Sequence, residues 1–386
     1  MSLPKGYFDS ITDRRVTSSI KWEKENILPM WIADMDFRTA PCIIEYMKQR
    51  AEQGIFGYDD VTDGWYRAYT EHWKVRHGYE FSREEMIYST GVIPTISAAV
   101  RKLSTPGEKV ALLTPVYNIF FNCIRNNGRF PAEVPLICED GAYAVDLELL
   151  EKTLSDPQVS LLLLCNPHNP GGKLYTAEEL ERIGGICKRN GVIVISDEIH
   201  CDITEPGESY VPFASVNETN SGICVTCISP TKAFNIAGIN TSAAVVRDPV
   251  LRHRVWRELN TSECGEPGSF ACGVTERAFS PEGLEWLDAM RTYVSDNRRL
   301  SVSFIEEQLP RLRVMPSLST YLLWIDCKGT GMDGKRFAAS LEEKTGLRLS
   351  SGDIYGSGGE SFVRMNIACP RKLLDDGLER LSAYFR

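Results

Sequence analysis

Ile223-Cys224-Val225-Thr226-Cys227-Ile228-Ser229-Pro230-Thr231-Lys232-Ala233-Phe234-Asn235 is an apolar run that ends on a hydroxyl, a proline and a lysine. An uncharged stretch rich in Ile, Val and Thr predicts a strand buried on both faces, and such strands belong to parallel sheets sandwiched between helices. Pro230 cannot donate to a central ladder, so the strand stops at Ser229. Lys232 therefore lies just past its carboxyl end. In open α/β sheets that edge borders the crevice where ligands bind. A lysine drawn out of water there is pushed toward its neutral, nucleophilic form, unlike an ordinary solvated surface lysine.

The same arrangement recurs upstream. Val192-Ile193-Val194-Ile195-Ser196 predicts a second buried strand, ending on Asp197 and continuing into Glu198-Ile199-His200. An acid at that place either meets a cation or caps a following helix. Ser160–Cys165 predicts a third strand, followed by Asn166-Pro167-His168-Asn169-Pro170-Gly171-Gly172, a rigid turn that fixes the amide of Asn169. Together Lys232, Asp197 and Asn169 supply an amine, an acid and an amide on one sheet edge. Pyridoxal phosphate (PLP) chemistry needs that set: a lysine for a Schiff base, an acid for the pyridinium nitrogen and a donor for the ring oxygen. Around it, Gly91-Val92-Ile93 opens a helix whose free N–H groups would seat a phosphate, an ordinary glycine turn being the alternative. Ser229 and Thr231 offer hydroxyls to the same group. Tyr117, after Thr114-Pro115-Val116, either stacks on a flat ring or belongs to the core. Arg364, inside Phe362-Val363-Arg364-Met365-Asn366, wants a fixed partner, either a ligand carboxylate gripped bidentately or a structural acid. Of the histidines, His200 is the one aimed at this edge, and the others suggest neither a triad nor a metal set.

Over the whole chain the pattern is α/β. Strands are predicted at Met86–Gly91, Lys109–Thr114, Arg129–Leu136, Ser160–Cys165, Val192–Asp197, Ile223–Ser229 and Ala243–Arg247, alternating with helices. A long helical region at 250–309 leads into a smaller α+β unit, with strands at Thr320–Asp326 and Phe362–Ile367. We expect a large domain over 46–285 with a mostly parallel sheet between helices, and a smaller α+β domain over 286–386. Residues 1–45 form an N-terminal arm that joins the small domain. The 386 residues are enough for two cores, and 43% hydrophobic with 25% charged is ordinary for a globular chain. A net charge of -9 argues against nucleic acid or an anionic membrane as a partner. No apolar run reaches membrane-span length, and the first six residues lack a signal-peptide core, so a cytoplasmic protein is the expectation. The twelve cysteines are scattered and read as reduced thiols, including the pair Cys224 and Cys227 inside one strand. Gly329-Thr330-Gly331-Met332-Asp333-Gly334 imitates a dinucleotide fingerprint, but too little chain follows for a binding domain, and a loop capped by Asp333 is expected.

Read together, Gly91, Tyr117, Asn169, Asp197, Ser229-x-x-Lys232 and Arg364 resemble the fold-type I PLP enzymes of the class I/II aminotransferase superfamily. Ile32-Ala33-Asp34-Met35-Asp36-Phe37, Phe56-Gly57-Tyr58, Asn166–Gly171, Ser196–His200, Lys232–Asn235 and Phe362–Pro370 bring the resemblance closer to the MalY/PatB-type cystathionine β-lyases, over residues 5–386. The resemblance implies a PLP-dependent transferase-like fold, a homodimer, and cleavage of cystathionine or related cysteine S-conjugates to thiol, pyruvate and ammonia. It implies that Lys232 carries PLP, Asp197 keeps the ring nitrogen protonated, Asn169 donates to the ring oxygen, and Tyr117 stacks on the ring. Gly91, Val92, Ile93, Ser229 and Thr231 would hold the phosphate, with Tyr58 reaching it from the neighbouring subunit. Arg364 would clamp the substrate carboxylate, with Asn169 beside it. Two positions depart from the aminotransferase pattern: Asn240 replaces a phosphate-binding arginine, and His200 replaces a tyrosine on the ring oxygen. An aminotransferase and a regulatory binding protein on the same fold are the rival functions.

Overall fold

The computed structural model describes residues 3–139 and 141–386; Met1, Ser2 and Asp140 lie outside it. Its centre is a seven-stranded sheet: β1 Met86–Ser89, β2 Lys109–Thr114, β3 Phe130–Pro135, β4 Val159–Cys165, β5 Ile193–Asp197, β6 Cys224–Ile228 and β7 Ser242–Val245. The strand order is β1-β7-β6-β5-β4-β2-β3. Pairings from β3 through β6 are parallel, while β7 runs antiparallel to both β6 and β1. The seven strands expected from the sequence are present, with ends that agree to within two residues. β7 is shorter than expected, and it is the one strand reversed.

Near-continuous apolar strands follow from burial on both faces. Along β4, Leu161 and Leu163 enter one core and Leu162 and Leu164 the other, as a period of two requires. On one face Val92–Leu103, Ile119–Arg125 and Pro249–Thr261 cover the smaller core. On the other lies a larger aromatic-rich core, containing Trp65, Trp73, Phe234 and Trp286.

A second sheet has four strands: β8 Arg313–Val314, β9 Leu322–Asp326, β10 Ser350–Ser351 and β11 Phe362–Asn366, in the order β8-β9-β11-β10. Gly334–Thr345 and Arg371–Ala383 accompany it. The N-terminal residues Leu28–Pro29 pair in parallel with Leu347–Arg348, which ties the arm to this unit. The helix Pro281–Gln308 runs unbroken across the expected boundary at 285/286. A hairpin of Ile137–Glu139 with Ala142–Ala144 was not expected, because its three-residue strands are too short to register as periodicity. Asp333 caps Gly334–Thr345, accepting from Arg336 N at 2.8 Å, so the dinucleotide-like phrase is a capping loop. No helix among the described residues is long and apolar enough to cross a membrane.

Candidate active site

The parallel strands all present their carboxyl ends on one edge, and the candidate residues follow from it. β1 leads to Gly91, β2 to Tyr117, β4 to Asn169, β5 ends on Asp197, and β6 leads to Lys232. Arg364 reaches the same place from β11 of the second sheet, and it donates from Nη1 to Asn169 Oδ1 at 3.0 Å. Its Nη2 donates to the Trp31 carbonyl at 3.0 Å. Among the described residues no carboxylate hydrogen-bonds this guanidinium, and its Nε is buried without a partner. Because the Asn169 oxygen is taken by Arg364, its NH2 group is the end left to donate to a ligand.

Asp197 is buried and pairs in register with Cys165 on one side and Cys227 on the other, so its carboxyl stands in a wall of uncharged side chains. Burial pushes it up to about 7, opposed by a hydrogen bond from Ile199 N at 3.1 Å and by Lys232. Next to it, Glu198 points to the opposite face. Three donors hold it: Ser196 Oγ at 2.7 Å, Phe213 N at 3.0 Å and Tyr210 OH at 2.6 Å. Burial holds Glu198 near 7 as well. His200 is buried, its Nδ1 lacks a partner, and burial pushes it down to about 3, so it is a neutral ring.

Lys232 donates from Nζ to the Ala33 carbonyl at 2.6 Å. Enclosure lowers its amine to about 8, with Asp34 and Asp197 opposing and Arg364 reinforcing that shift. Asn235, three residues on, stitches this turn to the arm: its amide donates to Met35 O and Phe37 O and accepts from Met35 N. Tyr117 is mostly enclosed, and burial raises its hydroxyl to about 12. Ser229 Oγ lies 2.8 Å from Thr231 Oγ1 and accepts from Thr231 N at 3.2 Å, beside the uncapped N-terminus of Val92–Leu103.

Two expectations need comment. Tyr58 lies in an exposed loop between two helices of this chain, fully accessible and apart from the residues above. The histidines do converge once: His72 and His77 Nε2 lie 2.9 and 3.1 Å from Asp202 Oδ1. Arg76 Nε is 3.3 Å from that same oxygen, so a guanidinium already holds the cation position and the cluster is a buried ion-pair network. The sequence reading missed the carbonyls of Trp31 and Ala33, which carry no residue-type signature. It also missed Tyr321, whose OH donates to Ala33 O at 2.9 Å. An aromatic in an apolar strand reads as core, and the phrase Ile32–Phe37 was the available signal.

The family model "Aminotransferase class I and II" matches residues 25–381. The chain belongs to this family. Among curated relatives, it is 38% identical to "Cystathionine beta-lyase PatB" of Bacillus subtilis, over 97% of this chain and 99% of the relative. It is 32% identical to "Protein MalY" of Escherichia coli, over 97% of each. Among solved structures, a PLP-bound putative aminotransferase from Clostridium difficile superposes with a TM-score of 0.95 at 35% identity, covering 98% of this chain and 99% of that one. Cystalysin from Treponema denticola, which contains pyridoxal 5'-phosphate, superposes at 0.94 with 30% identity, over 98% of each chain. The α/β fold with its mostly parallel central sheet is thus that of the class I and II aminotransferase family.

Proposed function

We propose that this protein is a PLP-dependent carbon–sulfur β-lyase that cleaves cystathionine or a related cysteine S-conjugate. The residues present suit the cofactor. A buried acid without a full cation partner, a lysine with a lowered amine, an amide with its NH2 free and an uncapped helix N-terminus are the donor set that an anionic, protonated pyridine requires. Bound there, PLP supplies an electron sink for charge developing at the substrate Cα. Lys232 would hold its aldehyde, Asp197 its ring nitrogen, Asn169 its ring oxygen, and Tyr117 its face. Gly91, Val92, Ile93, Ser229 and Thr231 would hold its phosphate, with His200 packed beside the ring.

The chain's own chemistry follows from these positions. Arg364 grips the substrate carboxylate, its unpartnered Nε supplying a further donor, and Asn169 keeps that guanidinium oriented. Lys232, once its amine is free, stands at Cα and takes its proton; an amine near 8 carries out that transfer at neutral pH. A thiolate then leaves Cβ, and hydrolysis of the remaining fragment yields pyruvate and ammonia. Asp197, held near 7 by burial, would ionise fully next to a protonated ring nitrogen and would thereby keep the bound cofactor electron-poor.

The observation that carries this reading is the single carboxylate clamp. Arg364 is bound only to neutral groups among the described residues, which leaves its charge to be matched by a substrate carboxylate. The names of the PatB relative and of the "C-S lyase" from Staphylococcus hominis, 31% identical, support the lyase branch. Purified protein given cystathionine and no keto acid should release pyruvate and thiol. Turnover that requires an added keto acid would make it an aminotransferase. Retained biological effect in an inactive Lys232→Ala variant would make it a regulator. We further propose a homodimer, on the exposed Ile55, Phe56 and Tyr58 loop, and a cytoplasmic setting, on twelve cysteines that are all free.

A further inference from the structure

We propose that Tyr321 is a positioning residue for the Lys232 amine, held in place by a strained backbone at Thr320. The proposal rests on Lys232 being the reacting amine. Lys232 Nζ and Tyr321 OH donate to the same acceptor, the Ala33 carbonyl, at 2.6 and 2.9 Å. Tyr321 is fully buried, and burial pushes its hydroxyl far above the usual phenol range. It therefore stays a neutral donor at every working pH, unable to act as a base. Its ring meets His200 edge-on, with centroids 6.2 Å apart, so it also borders the ring that follows Asp197.

The residue before it sits in an unusual conformation. Thr320 has φ +66, the left-handed region, where a β-branched side chain is an outlier. Such a conformation persists only where the surroundings over-determine it, and it clusters at functional sites. The surroundings here are explicit. Thr320 N donates to Ile203 O at 2.6 Å, and Thr320 O accepts from Arg298 Nη2 at 2.7 Å. Arg298 is itself locked to Glu205 at 2.6 Å. Ile203 N in turn donates to the His200 carbonyl at 2.9 Å. The segment carrying Asp197 and His200 is thereby tied, through a strained link, to the tyrosine on the lysine's acceptor. A tyrosine serving only as core filling would not need its hydroxyl on that one carbonyl.

The consequence is that Tyr321 fixes the Ala33 carbonyl, and the carbonyl fixes where the free amine rests. Tyr321→Phe removes the hydroxyl and keeps the ring. Stripped of cofactor, this variant should capture added pyridoxal phosphate about tenfold more slowly than the parent, followed by absorbance. Reloaded, it should lose kcat by a similar factor with KM within about twofold, since placement of the base is lost and carboxylate binding is not. Thr320→Gly takes the left-handed conformation without strain, keeps the backbone bonds to Ile203 and Arg298 and leaves the Tyr321 hydroxyl in place, so it should keep the parental capture rate and kcat. A folded Tyr321→Phe protein with parental capture rate and parental kcat overturns the proposal. If Tyr321→Phe does not fold, Arg298→Lys decides: it keeps a cation beside Glu205 and loses the donor to Thr320 O, so it should slow capture and lower kcat in the same sense, and parental values overturn the proposal. A parent without lyase activity would sink the functional reading alone, because capture of the cofactor does not depend on the reaction catalysed.

Discussion

Two neighbouring acids at the end of β5 show how one residue's environment sets its use. Glu198 takes three donors on one face, while Asp197 faces the ligand crevice with one backbone donor and a nearby lysine. On the proposed reading, the protonated ring nitrogen of the cofactor would supply the cation that Asp197 lacks at contact distance. Its ordinary value is 3.8 and its folded value about 7. Between these, the folded apoprotein retains a proton that the unfolded chain has lost, so this residue's contribution to stability falls as pH rises through that window. Above about 7 the whole cost of the buried charge is borne. Asp197→Asn removes it. After cofactor removal, the variant should melt close to the parental temperature near pH 4 and several degrees higher at pH 8. Taking the difference between variant and parent cancels His200 and Glu198, which titrate in both. A gap that does not grow with pH, measured by thermal melts across this range, would count against a buried, unmatched Asp197. The place of Asp197 at the sheet edge was legible in the sequence because an acid closing an apolar strand is rare. The place of Lys232 was legible because a charged side chain just past an apolar strand is equally uncommon, whereas Tyr321 was not, because an aromatic in a strand has a sufficient explanation in packing.

At the scale of elements, the turn after β4 places Asn169. Gly172 lies at φ +66, donates from its N to His168 O at 2.8 Å, and accepts from Leu318 N at 3.0 Å. A Cβ there would run into Ser317 Oγ and the Ser319 carbonyl. Both conformation and space therefore demand glycine, and the second unit's 317–319 segment packs directly on the turn. Gly172→Ala should cost about 2–4 kcal/mol, combining left-handed strain with a clash against backbone. It should also raise KM, because the turn that shifts is the one holding Asn169 against Arg364. Denaturant melts and steady-state kinetics check both parts; a variant within about 0.5 kcal/mol of the parent would show that the turn relaxes without effect. Strand–turn punctuation made this element readable in advance. The short Ile137–Ala144 hairpin and the reversal of β7 were not readable, since three residues carry no periodicity and a four-residue buried strand looks alike in either direction.

At the scale of the molecule, the alternation of apolar strands and helices was enough to foresee an α/β sheet with its site on one edge, because double-sided burial leaves an unmistakable composition. What that pattern cannot report is whatever approaches the site from another chain. Tyr58 is fully exposed here, with Ile55 at 76% and Phe56 at 54% exposure on the same loop, a concentration of apolar surface that a lone folded chain has no reason to display. Asn240 is exposed and offers no cation to the phosphate seat, while its backbone carbonyl is taken by Tyr88 at 2.6 Å. A hydroxyl delivered by the partner subunit's copy of the loop would supplement a seat otherwise built from backbone N–H groups, Ser229 and Thr231. If Tyr58 acts across a twofold interface, each site draws Lys232 from one chain and Tyr58 from the other. Tyr58→Ala and Lys232→Ala proteins should then each be nearly inactive alone. Unfolded together and refolded as an equal mixture, half the dimers are mixed, and one of the two sites in each is intact, so about a quarter of parental activity returns. Recovery read as pyruvate release per total chain, alongside dimer mass by light scattering, tests this directly. Were Tyr58 to act within its own chain, no site in a mixed dimer would hold both Lys232 and Tyr58, and activity would stay at the mean of the two variants measured apart.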